Sequence, residues 1–322
     1  MTAATLKEKI IPAILLAPSA HNTQPWRLAI GEDYIDIYVD WHRHLAVSDP
    51  TQRELYVSLG CTLTNGIVAA AHEGNTAGVT YFPQGERAAA PAARLTITSG
   101  ETNAHLAALF TALESRRTNR QMYDSQPLTA DERAKLISAQ ESGILLIEDR
   151  GQIAKIARLT EQGTVATLSR PDFKAELAHW VRNDWTRRGD GMPGYAMGVP
   201  APLSLVSNIM VRLLPIHKQE GPKTRQQMES AAAVAVIATP DDSKTAWIQA
   251  GQLLEQLWLE ATVAGLAAAP LAAGIEASSD IRNKLQQVLT TNLLPQAILR
   301  LGHSKQKNLR ATPRRELADC LR

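Results

Sequence analysis

Residues 49–74, Asp49-Pro50-Thr51-Gln52-Arg53-Glu54-Leu55-Tyr56-Val57-Ser58-Leu59-Gly60-Cys61-Thr62-Leu63-Thr64-Asn65-Gly66-Ile67-Val68-Ala69-Ala70-Ala71-His72-Glu73-Gly74, read as one long apolar helix. Asp49 suits the N-cap, and Pro50 suits the first helical position, where its missing N–H costs nothing. Gly74 is a natural stop after His72. A second helix of the same kind spans 244–264 and can be laid over the first with Gly60 on Gly251. Leu63 then meets Leu254, Ile67 meets Trp258, Val68 meets Leu259, Ala70 meets Ala261 and Gly74 meets Gly265. Two unrelated amphipathic helices would give several of these matches, because apolar pairs recur at helical spacing. Each helix, however, follows a strand and precedes a loop leading to another strand. Duplication accounts for both facts, so the chain reads as two similar halves.

Working outward, residues 4–17 read as a short amphipathic helix carrying Leu6, Ile10, Ile11, Ile14 and Leu15, ended by Pro18. Strands are predicted at 26–30 and 34–39, the second alternating Ile35, Ile37 and Val39, and further strands at 79–83 and 93–98. Helices follow at 102–115, from Thr129 to about 140, and at 152–168, with a strand at 144–148. In 180–226, Trp, Arg, Gly and Pro crowd together, as in Arg187-Arg188-Gly189-Asp190-Gly191-Met192-Pro193-Gly194. That stretch reads as a long irregular excursion, the kind of segment that forms lids. Trp180, Trp185, Met192 and Tyr195 are its candidates to cap a pocket, or to pack the excursion against the surface. Strands at 232–238 and near 296–302 flank the second long helix, and a basic tail closes the chain.

The bulk numbers limit the alternatives. With 322 residues, 44% apolar and 20% charged, the chain can bury a core of two domains or two fused halves. A formal charge of +2 gives no general field for nucleic acid or a membrane surface, so any basic site is local. The two cysteines, Cys61 and Cys320, form neither a disulfide framework nor a metal motif. No apolar run reaches a signal peptide or a membrane span, and the cytoplasm is the default location.

Three segments carry candidate chemistry. The loop Pro18-Ser19-Ala20-His21-Asn22-Thr23-Gln24-Pro25-Trp26 is dense in short donors and acceptors held between prolines. It can point amides and hydroxyls at a flat heteroaromatic ring, or simply satisfy its own backbone as a solvated turn. Ser115-Arg116-Arg117-Thr118-Asn119-Arg120 offers forked guanidinium donors and a hydroxyl, which suit a phosphate; it also reads as a solvated basic helix end. The tail Arg310-Ala311-Thr312-Pro313-Arg314-Arg315 is weaker alone, since basic tails are often solvated.

Taken together these segments resemble the nitroreductase family. Residues 17–26 resemble its Pro-Ser signature loop, and 116–123 its paired-arginine phosphate loop. Gly265-Leu266-Ala267-Ala268-Ala269-Pro270-Leu271 is similar to its loop under the flavin ring, and Arg314-Arg315 to its basic element near the phosphate. Ser48-Asp49-Pro50, Arg53-Glu54-Leu55, the two-half length and the closing arginine pair are most similar to the long, Acg-like branch. The first half keeps the Pro-Ser loop and lacks an arginine loop. The second half keeps the arginine loop, while Ser142-Gly143-Ile144-Leu145 stands where a Pro-Ser loop would. A homodimeric member builds each site from one loop of each subunit, so these complementary losses leave one complete set.

The resemblance implies an α+β, nitroreductase-like fold: an internally duplicated pseudo-dimer with antiparallel-containing sheets flanked by helices and a lid-like insertion. The halves are 1–105 and 106–322, with the insertion at about 170–228. It implies one FMN, held by Pro18, Ser19, Ala20, His21, Asn22 and Gln24 from the first half. Arg116, Arg117, Thr118, Arg120, Ala269, Pro270, Leu271, Ala272, Arg314 and Arg315 serve it from the second. The implied activity is ping-pong transfer from NAD(P)H through FMN to a nitroaromatic, quinone or similar small-molecule acceptor, with the chemistry flavin-borne and no metal. His21 would donate a proton, contact the flavin or be solvated. No nucleic acid or membrane partner is implied, and the chain would be a monomeric pseudo-dimer or a weak homodimer. A lid shut over the ring would instead make the protein an FMN holder or sensor with little reductase activity. A scaffold that has lost flavin is the third reading, and retention of both loops argues against it.

Overall fold

The computed structural model describes residues 6–138, 143–306 and 308–322. Two four-stranded sheets, each antiparallel throughout, frame the molecule. The first contains β1 (Trp26–Ile30), β2 (Tyr34–Val39), β3 (Asn75–Tyr81) and β4 (Ala93–Ser99) in the order β1-β2-β4-β3. The second contains β5 (Ile144–Ile147), β6 (Ala233–Thr239), β7 (Ala267–Pro270) and β8 (Leu294–Gly302) in the order β5-β6-β8-β7. Position for position the two orders are the same.

The helices are α1 (Ile11–Leu15), α2 (Arg53–His72), α3 (Arg150–Ser169), α4 (Pro171–Trp180), α5 (His217–Glu229), α6 (Lys244–Val263) and α7 (Ser279–Leu289), with shorter turns between them. Helices α2 and α6 cross in the middle, and their inner faces share one core with both sheets. Strand period explains how the second sheet serves two cores. Ala233, Ala235 and Ile237 of β6 point to the central core, while Val234 and Val236 point to a second core with Ile153, Ile156 and Ala157 of α3. Buried on both faces, β6 is apolar at nearly every position. In the first sheet Ile35 and Ile37 face the core, while Asp36 lies on the opposite face, where it is buried and takes a forked pair of bonds from Arg94 at 2.7 and 2.8 Å.

Several predicted boundaries move. The first long helix begins at Arg53, with Gln52 left-handed at its N-cap (φ 70°), because Asp49 to Gln52 form a turn closed by Gln52 N–H to Asp49 O. Asp49 still serves the helix: its Oδ2 accepts from Leu55 N–H at 2.9 Å. The strand expected at 79–83 is 75–81, and the helix expected at 102–115 breaks into Ala104–Ala108 and Phe110–Ser115. The N-terminal helix starts as a π turn at Leu6–Ile10, with residues 4 and 5 outside the described range. The helix from 130 runs to Ser138, and residues 139–142, including Ser142, lie outside that range too.

The larger correction concerns 180–226. Residues 183–191 are irregular as expected, but most of the chain between β5 and β6 is helical, with Gly194–Met197, Ala201–Ser204, Ser207–Leu213 and α5 following α3 and α4. Helix α5 buries Gly221, Thr224, Gln227 and Met228, so only Met228 of its inner stripe is apolar and large, and the stripe gives no hydrophobic period. At the other end of the chain, the tail crosses to the first sheet. Leu321 bridges Leu28 in parallel, and Arg322 N–H donates to Leu28 O at 3.0 Å. Among the described residues no helix is long and apolar enough to cross a membrane.

Candidate functional site

The loop between α1 and β1 is held in an uncommon shape. His21, Asn22 and Gln24 have φ of 49°, 54° and 53°. A non-glycine residue in the left-handed region costs of order 1–3 kcal/mol, so the surroundings must fix it. Ser19 Oγ accepts from Gln24 N–H at 2.8 Å. Asn22 Nδ2 donates to Gly191 O at 2.9 Å and to Pro313 O at 3.0 Å. Gln24 Nε2 donates to Gly189 O at 2.7 Å, and its Oε1 accepts from Arg315 N–H at 2.9 Å. The loop is thus laced to the insertion on one side and to the tail on the other. Ser19, Asn22 and Gln24 turn their side chains to those partners, and Ala20 and His21 are left to line a cavity.

The arginines meet the loop at one carbonyl. Leu16 O accepts from Arg116 Nη2 at 2.9 Å and from Arg314 Nη2 at 3.0 Å. Arg116 lies over the Trp258 ring, 4.5 Å from its centroid, with Nε 2.9 Å from Oε1 of the fully buried Glu255. Arg117 donates to Leu309 O at 3.2 Å and to Glu114 O and Arg116 O. Arg116 and Arg314 share the Glu255 carboxylate, and Arg117 adds a third guanidinium beside them, which leaves excess positive charge in a poorly solvated place. Burial, and then Arg116, pull Arg314 down to about 9, while burial lifts Glu255 to about 7 against the opposing pull of Arg116 and Arg314. Arg314 Nε and Glu255 Oε2 are buried without a hydrogen-bond partner among the described residues. A buried unpartnered cationic donor suits an anion, and the residues fit a phosphate.

The other predicted residues divide. Thr118 bridges Ala268, and Asn119 N–H donates to Ala268 O at 2.9 Å, which seats the arginine loop on β7. Ala269 is spent on the β7–β8 ladder opposite Arg300, Leu271 N–H donates to Ile298 O at 3.0 Å, and Pro270 is exposed. Ala272 reaches the cavity with Ala20 and His21. Arg120 is turned to the insertion, donating to Ala196 O at 2.9 Å. Arg315 faces away from Arg116: its guanidinium donates to Gln24 O at 3.0 Å, Trp26 O at 3.2 Å and Asp319 O, and lies 3.4 Å from Asp40. Pro18 follows the last turn of α1 and is half-buried.

The insertion lies directly on these loops. Asp190 accepts from Arg43 at 2.9 Å and from Arg182 at 2.8 Å, and Tyr195 Oη donates to Ala311 O at 2.8 Å. Trp180 and Met192 are buried, whereas Trp185 is 61% exposed and caps nothing. The cavity beside His21 measures about 240 Å³. Leu45, Leu168, Phe173 and Leu177 wall it, and Asp49, Glu54 and Glu276 give it an acidic side. Burial holds the His21 imidazole down at about 4, so it is neutral at pH 7.

Sequence reasoning did not single out Glu255, Leu16 or the acidic side of the cavity. Glu255 carried a usable signal, a lone acid between Leu254 and Trp258 on an apolar helix face. Leu16 acts through its carbonyl, which no side-chain pattern can reveal.

Comparison with known proteins identifies the class. The nitroreductase family profile matches residues 113–303, from just before the arginine loop through β8. The chain belongs to the nitroreductase family, and it is a nitroreductase-like oxidoreductase. It is 26% identical over 318 residues to a Mycobacterium tuberculosis (strain H37Rv) protein, Rv3131, provisionally named an NAD(P)H nitroreductase; the match covers 97% of this chain and 90% of that protein. It is 27% identical over 315 residues to the acg protein of the same organism, also provisionally named an NAD(P)H nitroreductase, covering 94% and 90%. Among solved structures, a provisionally named nitroreductase from Anabaena variabilis aligns with a TM-score of 0.49 at 12% identity, over 84% of this chain and 69% of that one.

Proposed function

We propose that the chain holds one FMN between its two halves, 1–105 and 106–322, and passes electrons from NAD(P)H to a small acceptor such as a nitroaromatic or quinone. One observation carries the reading: Leu16 O, at the end of α1, accepts from both Arg116 and Arg314. The Pro-Ser loop of one half and the arginine loop of the other therefore meet at a single point, one complete set of parts. Arg116, Arg117 and Arg314 would hold the phosphate, and Ala20, His21 and Ala272 would flank the ring. The bound flavin supplies the electron transfer; the chain supplies binding, orientation and exclusion of water. The repeated strand order supports an internally duplicated pseudo-dimer, which as a cytoplasmic monomer needs no second copy to complete the site. Reconstitution with FMN, followed by release and absorbance, tests this. One flavin per chain is expected; none, or two, overturns it.

A second reading has its own observation. The insertion is bonded to the flavin-side loop through Gly189 and Gly191 and to the tail through Tyr195. A lid so fastened would make the protein an FMN holder or sensor. Anaerobic mixing of the loaded protein with NADH or NADPH separates the two: fast bleaching supports the reductase, and absent bleaching supports the holder.

A further inference from the structure

The short helices Ala201–Ser204 and Ser207–Leu213 of the insertion are amphipathic in the wrong sense. Their buried side chains are serines: Ser204 Oγ donates to Ala201 O at 2.7 Å, and Ser207 Oγ donates to Ser204 O at 2.8 Å. Leu203, Leu205, Val206, Ile209, Leu213 and Leu214 stand exposed, Leu205 at 60% and Leu213 at 70%. They make up six of the ten large apolar side chains exposed among the described residues. Helices spent on the chain's own core would turn leucine in and serine out, and an apolar patch of this kind marks a surface for something outside the chain.

The charge around the patch has one sign. From Gly191 to Gln219 there is no Asp or Glu. The flanking acids are spent: Asp184 accepts from Tyr195 N–H at 2.9 Å, Asp190 pairs with Arg182 at 2.8 Å, and Glu220 pairs with Lys223 at 3.1 Å. Arg187, Arg188, Arg212 and Lys218 are exposed and form no ion pair among the described residues. Next to Leu205 lies a cavity of about 380 Å³, lined by Arg182, Arg188, Asn183 and Asn208 and by no acid among the described residues. Arg182 is taken by Asp190, which leaves Arg188 as the available cation. Each asparagine gives its Oδ1 to a backbone N–H, Asn183 to Trp185 at 3.0 Å and Asn208 to Ile209 at 2.9 Å, so the group each has left is its Nδ2 donor. Donors beside a guanidinium suit an anion.

We propose that this face of the insertion docks on an anionic lipid bilayer, with a phospholipid phosphate received in the cavity at Arg188 and Asn208 and the aliphatic side chains of 203–214 set among the acyl chains. Composition favours a bilayer over a protein partner. The exposed set is Leu, Val and Ile, whereas protein hot spots are rich in Trp, Tyr and Arg and poor in Leu and Val. Cations flanking an aliphatic strip are the pattern of an interfacial helix, and Trp185, exposed between the cavity residues Asn183 and Thr186, has the amphipathic ring that settles at headgroup level. The chain's small net charge does not oppose this, because an anionic surface attracts the cations within a Debye length of it. Docking goes beyond the proposed function and does not rest on it.

Co-sedimentation of the purified chain with vesicles tests it: phosphatidylcholine alone against phosphatidylcholine with about one part in three of phosphatidylglycerol. Binding to the mixed vesicles is expected to be about tenfold tighter or more, and to weaken as salt is added. Leu205→Ser and Leu213→Ser should each lose about tenfold or more. Arg188→Gln should lose about fivefold. Asn208→Asp keeps the acceptor for Ile209 N–H, puts a carboxylate where the phosphate would sit, and should lose about tenfold or more. All four side chains are exposed, and an unchanged urea midpoint shows that each variant is folded. No binding to the mixed vesicles, equal binding to the neutral ones, or full binding by all four variants overturns the proposal. So does a dimer at sedimentation equilibrium that Leu213→Ser splits, since the patch would then belong to a second copy of the chain.

Discussion

Gly60 and Gly251 touch backbone to backbone where α2 and α6 cross. A Cβ on Gly60 would stand 2.8 Å from Gly251 Cα and 2.0 Å from Ile248 O. The contact is reciprocal, since a Cβ on Gly251 would stand 1.9 Å from Val57 O. Val57 and Ile248 occupy the same position relative to their glycines. Reciprocal contacts of this kind are what a two-fold axis through the crossing produces. The glycines are therefore a joint between the sheets, and the residues that open the two long helices are set relative to each other by it.

Gly60→Ala tests that joint. The substitution gains about 1 kcal/mol of helix propensity. Against this, overpacking costs about 1–3 kcal/mol, and here the upper end applies, because the obstacle is backbone and cannot rotate away. A lowered urea midpoint is expected for Gly60→Ala and for Gly251→Ala. A midpoint that is unchanged or raised would mean the helices do not cross at these glycines.

Much of this frame was legible because it rests on period and spacing. The alternation Ile35, Ile37, Val39 marked a sheet with one wet face, and the unbroken apolar run of β6 marked one covered on both. The glycine pair was legible as a repeat, though its role as a contact was not, since a missing side chain has no pattern of its own. The helices of the insertion were missed for a different reason: α5 carries Pro222 in its interior, and its buried stripe is Gly221, Thr224, Gln227 and Met228. At the site, the arginines and the Pro-Ser loop could be picked out by composition. Which arginine faces the other loop could not: Arg314 and Arg315 are adjacent in sequence and turn to opposite partners.

That difference gives the second prediction. Arg117→Ala should weaken FMN binding by about 1.5–3 kcal/mol, the value of a charge-assisted bond, and also lower the denaturation midpoint through the lost bonds to Leu309 O and Glu114 O. Arg315→Ala should lower the midpoint and leave the affinity nearly unchanged, because Arg315 ties Gln24 O, Trp26 O and Asp40 together. Flavin fluorescence titration beside urea unfolding reads both. Loss of stability without loss of affinity in Arg117→Ala would move the phosphate elsewhere.

The third prediction concerns pH. Asp49 is raised in the folded chain from 3.8 to about 7, chiefly by burial and then by Glu276. The native state therefore binds more protons than the unfolded chain between those values, and stability falls as pH rises from about 4 to about 7. Glu255, raised to about 7 by burial, acts with the same sign. Asp49→Asn removes the first contribution and keeps the bond to Leu55 N–H. Its urea midpoint should vary less between pH 5 and 8 than the parent's, and should exceed it at pH 8. Parallel curves would show that Asp49 is ionised throughout.

The fourth prediction bears on whether the insertion governs turnover. Asp190 accepts from Arg43, beside the first half's loop, and from Arg182, within the insertion itself. Burial alone would raise its pKa, but the hydrogen bonds from Arg182 and Arg43 outweigh burial and hold it below the ordinary carboxylate value. The contribution is present at neutral pH and is lost as pH falls through the depressed pKa. Asp190→Asn keeps the shape and removes the charge, leaving the buried Arg182 and the half-buried Arg43 with a weaker acceptor. Amide hydrogen exchange across 183–196 should then quicken, while α2 and α6 keep their protection. If the closed insertion is what limits access of NAD(P)H, flavin reduction in the same variant should speed up with it. Faster exchange with unchanged reduction would place the limit in the flavin pocket itself, and unchanged exchange would mean that Gly189, Gly191 and Tyr195 hold the insertion without Asp190.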